Sequence, residues 1–269
     1  MDRAKDISVL AETVAEMLST ESRLEPDDVA REAGLTFSVG KYGDAFDALL
    51  EFRKSRFHVY LNSDRGNDLH TARGRFSFAH ELGHYFIDEH RWALSGRISP
   101  HGSFTGFCSN NTAEREADNF AAYLLMPSAR IKSKARGKKG SAATIREFAS
   151  EFGTSYSSTA IHCAILDVFP IIVMMWTREG CAWCWSSSEY SGLTKNKARR
   201  RFHDIPYESV TADLLNGKGP KSEHAQRGTT LATWFSGVPF QSSVNEVFIE
   251  ECLSLGRYGA LTILRPDRR

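Results

Sequence analysis

The chain has 269 residues, 41% hydrophobic and 25% charged, with a formal net charge of +1. Those values are ordinary for a globular protein, and the length allows one large domain or two modest ones with real cores. The charge balance excludes a polyanion binder driven by bulk charge, and no apolar run reaches the ~18 residues that a membrane span needs.

The opening segment, MDRAKDISVLAETVAEML, has acidic residues throughout and no apolar h-region, so it does not read as a secretory signal. Within it, Ile7, Leu10, Ala11, Val14, Met17 and Leu18 fall on one face of a helix over residues 6–18. A short helix follows over residues 26–33, with Pro26 in its first turn and Gly34 at its stop. Residues 46–62 read as a hairpin, two strands over 46–52 and 57–61 around a basic turn at 53–56. The strongest helical stretches are residues 75–88 and 112–125, joined by a long loop rich in Ser, Gly and His. Residues 130–141 (RIKSKARGKKGS) carry six basic residues and read as a linker. Two short helices follow around Gly153, over residues 144–152 and 157–166. Residues 170–188 are strand-like, and Trp234-Phe235 and residues 258–264 read as core strands. The expected domains are therefore a core over 1–129, a basic linker with a helical pair over 130–168, and a smaller β-rich domain over 169–269.

The decisive segment is RGRFSFAHELGHYFIDEH, residues 73–90. His80 and His84 are four apart, which on a helix places both imidazoles on one face where they can bind a single metal. Glu81 sits beside them, suited to act as a general base on water at that metal. Chance alone produces such an H-E-x-x-H match in about 2 of 100 chains of this composition. A zinc site needs a third protein ligand. His90 lies six residues after His84, the metzincin spacing, but metzincins have a glycine where this chain has Ile87. A β-branched residue resists the positive φ of that turn, so His90 is rejected as a ligand.

The other source is the helix AEREADNFAAYLLMP, residues 113–127. Ala117, Phe120, Ala121, Leu124 and Leu125 form its apolar stripe. At 100° per residue, Glu114 lies roughly 50° from the stripe's centre and Glu116 roughly 110° away. Glu114 is therefore the expected ligand, and Glu116 is expected to face solvent and favour the helix dipole. Asp118, one turn after Glu114, is placed to accept from a ligand histidine and fix its tautomer.

Residues 75–88 (RFSFAHELGHYFID) followed by 114–127 (EREADNFAAYLLMP) resemble the paired motifs of the ImmA/IrrE family of zinc metallopeptidases. The resemblance extends over about residues 7–168. It implies an α+β, zincin-like fold. It also implies zinc held by His80, His84 and Glu114, with Glu81 as catalytic base. Members are cytoplasmic and typically cleave or inactivate a helix-turn-helix repressor, which makes such a repressor the expected partner. The five cysteines, an odd and sparse set, also fit a reducing compartment. A non-proteolytic regulator that binds a repressor or antitoxin-type partner through the same domain is the alternative, and the retained Glu81 argues against it.

The helical pair over 144–166 has the rhythm of a DNA-binding motif. Its second helix offers Ser157, Ser158, Thr159 and His162 but no Arg or Asn to read bases, so no sequence-specific DNA binding is expected. Cys181-Ala-Trp-Cys184 is a lone C-x-x-C, read as strand cysteines because no second pair completes a zinc ribbon. His101 and Cys108 lie in the long loop and are read as loop residues. Tyr85, on the same helix as the histidines, is read as packing.

Overall fold

A computed structural model describes residues 2–18, 23–96, 111–192, 205–218, 225–235 and 246–268. The chain is α+β and divides into two compact units: Met1–Arg130 with Ser150–Ser155, and Ile131–Ala149 with Tyr156–Arg269.

The first unit is built on three strands, β1 (Thr36–Gly40), β2 (Ala48–Arg53) and β3 (Arg56–Asn62), in the order β1-β3-β2. The last two form the expected hairpin, in antiparallel register from Ala48–Leu61 to Arg53–Arg56. Its two-residue turn holds Lys54 and Ser55 at φ of 51° and 61°. Both central positions take the positive φ that a tight hairpin demands, without the glycine that usually supplies it. Strand β1 pairs parallel with β3.

Helices α1 (Arg3–Met17) and α2 (Pro26–Glu32) match the sequence reading, with Gly34 at φ 73° closing α2. Helix α3 (Ala72–Phe86) carries the H-E-x-x-H segment. The side chain of Thr71 caps its start by accepting from the Gly74 N–H at 3.0 Å. Phe78 meets Phe37 of β1 edge-on, with centroids 5.2 Å apart.

Arg75, 1% exposed, ties the start of α3 to two distant segments. It pairs with Glu25 and donates to the carbonyls of Leu24 at 2.7 Å and Gly153 at 3.0 Å. Helix α4 (Asp88–Ser95) follows, then α5 (Thr112–Leu125). The expected loop after residue 88 is therefore partly helical, because α3 ends on an extended Ile87 (φ −77°, ψ 111°) and the chain re-enters a helix at once. His101 and Cys108 lie outside the described residues.

Helices α6 (Ser128–Ala135), α7 (Ala142–Phe152) and α8 (Tyr156–Ile165) follow. The first half of the stretch read as a basic linker is thus helix α6. Ile131 and Ala135 are buried four residues apart while Lys132, Ser133 and Lys134 are exposed.

The second unit centres on a five-stranded sheet: β4 (Ile172–Thr177), β5 (Gly180–Ser186), β6 (Gln226–Thr229), β7 (Phe248–Ser254) and β8 (Ala260–Pro266), in the order β5-β4-β8-β7-β6. All its pairings are antiparallel. The described residues of this unit also hold two short α-helices, α9 (Val210–Leu215) and α10 (Leu231–Trp234). Trp234 and Phe235 are core residues as expected, but Trp234 ends a helix rather than sitting in a strand. They pack with Ile172, Met174, Trp176, Phe248 and Leu264 on one sheet face. Residues 131–149 and 156–165 share this unit with the strands. Cys181 and Cys184 lie on β5, as a strand reading requires.

Candidate metal centre

Helices α3 and α5 approach at a glycine. A Cβ added to Gly83 would meet the Ala117 Cα at 3.0 Å and the Ala117 carbonyl oxygen and Phe120 Cβ at 3.2 Å. One turn on, the rings of Phe86 and Phe120 stack with centroids 5.7 Å apart. This contact brings the first turns of α5 against the middle of α3. Asn111 caps α5, its side chain accepting from the Ala113 N–H at 3.0 Å. Glu114 therefore sits in the first turn, where the helix dipole favours a carboxylate.

Three side chains converge there. The Nε2 atoms of His80 and His84 lie 3.2 Å apart. Glu114 Oε2 is 3.2 Å from His80 Nε2, and Glu114 Oε1 is 3.4 Å from His84 Nε2. One ligand atom from each residue lies within 4.8 Å of the others, which makes this the one cluster of metal-ligand type among the described residues. His80 and His84 are 1% and 3% exposed. His80 Nδ1 lies 2.8 Å from Asp118 Oδ1. A carboxylate can only accept, so Nδ1 carries a proton, and it is Nε2 that gives up its proton to offer a lone pair to the cluster.

Glu81 is 1% exposed, and its Oε1 is buried without a hydrogen-bond partner. The residues fit a cation. Burial penalises the His80 imidazolium, yet hydrogen bonds to Asp118 and Glu114 and the charge of Glu81 outweigh it and push His80 up to about 10. An environment that holds a proton so firmly is one that accepts a divalent ion in its place. Two imidazole nitrogens and a carboxylate suit a borderline divalent metal.

The structure brings His80, His84 and Glu114 together, with Asp118 directly behind His80 and Glu81 alongside. It also places two groups that the sequence reading set aside. Glu116 does not face solvent. Its side chain is 15% exposed against 13% for Glu114. It pairs with Arg3 at 3.1 Å and with His90 Nε2 at 3.1 Å. Helical phase alone missed this, because the sheltering residues come from α1 and α4. His90 returns to the site without a positive φ, its ring centroid 5.1 Å from that of His84. It stays outside the ligand cluster. Burial and the neighbouring His84 hold its pKa below the usual histidine value. Tyr85 donates to the Ala33 carbonyl at 3.2 Å and meets Phe57 edge-on, a packing role.

Residues 65–163 match the model of the IrrE N-terminal-like domain, Peptidase_M78. No curated protein matches the chain. Among solved structures, a Mycobacterium tuberculosis transcriptional regulator is similar at TM-score 0.56 and 12% identity, over 98% of this chain and 78% of that one. That likeness is one of fold. His80, His84 and Glu114 all fall within the residues that match the IrrE N-terminal-like model.

Proposed function

We propose that this chain is a zinc-dependent endopeptidase with a zincin-like core. The observation that carries the reading is the convergence of His80, His84 and Glu114 beside a buried, unpartnered Glu81 carboxylate oxygen. A purely structural metal site has no use for that oxygen. Zinc held by the three side chains supplies Lewis acidity toward a peptide carbonyl and toward water. Glu81 takes the proton of the attacking water and returns it to the leaving amide nitrogen. Asp118 keeps His80 in the tautomer that presents Nε2. Strand β2 has no partner on its second edge among the described strands, and an extended substrate can pair there.

The partner we propose is a helix-turn-helix repressor, cut in a stress or mobile-element response in the cytoplasm. We propose no sequence-specific DNA binding by the chain itself. Helix α8 supports this, because its residues from Ser158 to Ala164 are all buried and its middle offers no surface for reading bases. No described helix is long and apolar enough to cross a membrane.

The test is metal analysis together with incubation against the repressor encoded nearby. About one zinc per chain and cleavage that vanishes in Glu81→Gln while zinc stays are expected. Zinc-loaded protein that binds the repressor without cutting it would favour the non-proteolytic alternative.

A further inference from the structure

Cys181 and Cys184 lie three residues apart on β5. In a regular strand that spacing sends two side chains to opposite faces. Strand β5 is not regular. Its register against β4 runs Met174–Cys184 and Met175–Trp183, then jumps to Trp176–Cys181, so Ala182 is an extra residue with no partner on β4. A bulge of this kind re-aims side chains. Opposed residues of an antiparallel pair share a face, and Met174 and Trp176 are two apart on β4. All four side chains therefore lie on one face of the sheet. The packing agrees, because Cys181 and Cys184 both rest on the cluster that holds Met174 and Trp176.

The bulge thus turns C-x-x-C into the equivalent of neighbouring same-face positions. The Cys181 thiol donates to the Trp183 carbonyl at 3.2 Å, so its sulfur lies beside the peptide bond that leads into Cys184. Met174, directly opposite Cys184, brings a thioether to the same face. Neither thiol is in a disulfide, and both are partly exposed, unlike the buried Cys163 and Cys252. Strand β5 ends the sheet, with no described strand on its outer side, which leaves the pair open to a small solute. No His, Asp or Glu among the described residues completes a zinc-type cluster around the two cysteines. A set made of two thiols and a thioether is soft, and it suits copper(I).

We propose that Cys181 and Cys184 form a copper(I) site, with the Met174 thioether as a third and weaker donor. Binding is a proton exchange. Two thiols release their protons to solvent, two sulfur–copper bonds form, and the ion stays copper(I), so no oxidant or reductant is consumed.

The experiment uses the zinc-loaded full chain without oxygen, so that the histidine centre is filled and the thiols stay reduced. The probe is copper(I) supplied as its coloured bicinchoninate complex. The wild type is expected to withdraw about one copper(I) per chain, read as loss of that colour. Indole fluorescence should be quenched in step, since Trp176 lies opposite Cys181. The near-isosteric variants Cys181→Ser and Cys184→Ser are each expected to lose this uptake with zinc content unchanged. Met174→Leu is expected to keep it with affinity about tenfold lower, the scale on which a supporting contact tunes a metal site. Two further variants address the bulge. Deletion of Ala182 leaves C-W-C, whose thiols share a face in a regular strand, and is expected to keep copper(I). Cys184→Ser combined with Trp185→Cys retains two thiols but sets them on opposite faces, and is expected to lose it. A wild type that takes no copper(I) from bicinchoninate would overturn the proposal. So would undiminished uptake by the Cys181→Ser, Cys184→Ser double variant. Wild-type uptake by the Cys184→Ser, Trp185→Cys variant would also overturn it, by showing that the number of thiols decides rather than the face they share.

Discussion

Both units bury carboxylates, and they use them in opposite ways. In the second unit Glu250 is 1% exposed and accepts the N–H groups of Val210 at 3.1 Å and Thr211 at 2.8 Å, with the Thr211 hydroxyl at 2.8 Å. It caps α9. Its neighbour Glu251 accepts the Ala142 N–H at 2.7 Å and Arg265 at 2.9 Å, capping α7. Adjacent residues of one strand point to opposite faces, so β7 serves a helix on each side of the sheet. In the first unit, Glu114 and Asp118 lie against the ring nitrogens of two histidines. A carboxylate that finishes a helix is saturated by the fold. A carboxylate aimed at imidazole nitrogens leaves ligand capacity over, and that surplus marks the site.

The comparison breaks most visibly if the surplus is not metal-binding. His80→Ala, His84→Ala and Glu114→Ala are each expected to abolish zinc binding, while Glu116→Ala retains it. Atomic absorption on purified proteins checks this, and full occupancy in Glu114→Ala would reassign the third ligand. Gly83→Ala comes next. Its new methyl must displace the Ala117 backbone, so we expect a stability loss of ~1–3 kcal/mol with weakened zinc affinity, read by thermal melts with and without metal. In the second unit, Glu250→Ala and Glu251→Ala are each expected to cost about 1–2 kcal/mol as helix caps are lost, with zinc content unchanged. A zinc loss in either variant would erase the distinction between the two uses of buried charge.

Proton linkage sharpens it further. His80 is held at about 10, above its ordinary value of 6.5, so the metal-free protein keeps the proton at pH 7. Zinc uptake at pH 7 should therefore release a proton from His80, and affinity should rise with pH until about 10. The stabilisation from protonated His80 is full below about 6.5 in the metal-free form and lost as pH rises through about 10. Calorimetry in buffers of different ionisation enthalpy measures the release. The smallest effect concerns thiols. Burial pushes Cys163 and Cys252 up to about 12, so both should resist alkylation in the native protein at pH 8 and react once it is unfolded.

What the sequence made legible was local periodicity. The i, i+4 histidines, the stripe of α5 and the inward phase of Glu114 are properties of single helices, and the structure brings those three residues together. What it hid depends on distant chain. Glu116 looked solvent-facing because its shelter comes from Arg3, 113 residues away. The caps at Ala142 and Val210 are supplied by glutamates 109 and 40 residues on. His90 was judged as a ligand by a turn rule. That rule said nothing of an extended Ile87 leading straight into another helix. Six basic residues over 130–139 masked α6, since only Ile131 and Ala135 betray its buried face. Strand β1 went unnoticed because its residues are exposed or only partly buried, with no clean alternation.

The strand order of the second sheet bears on how the protein is made. Strand β8 lies between β4 and β7, and its Leu264 pairs with Ile172, 92 positions earlier. The middle of that sheet therefore forms only after residue 266 has left the ribosome, whereas every element of the first unit precedes residue 156. During synthesis, the strand pair β4–β5 waits with one edge open for more than seventy residues, the exposed-edge condition that favours mispairing. Chain stalling inside that interval would yield a molecule with its metal-binding helices complete and its second sheet missing the strand at its centre.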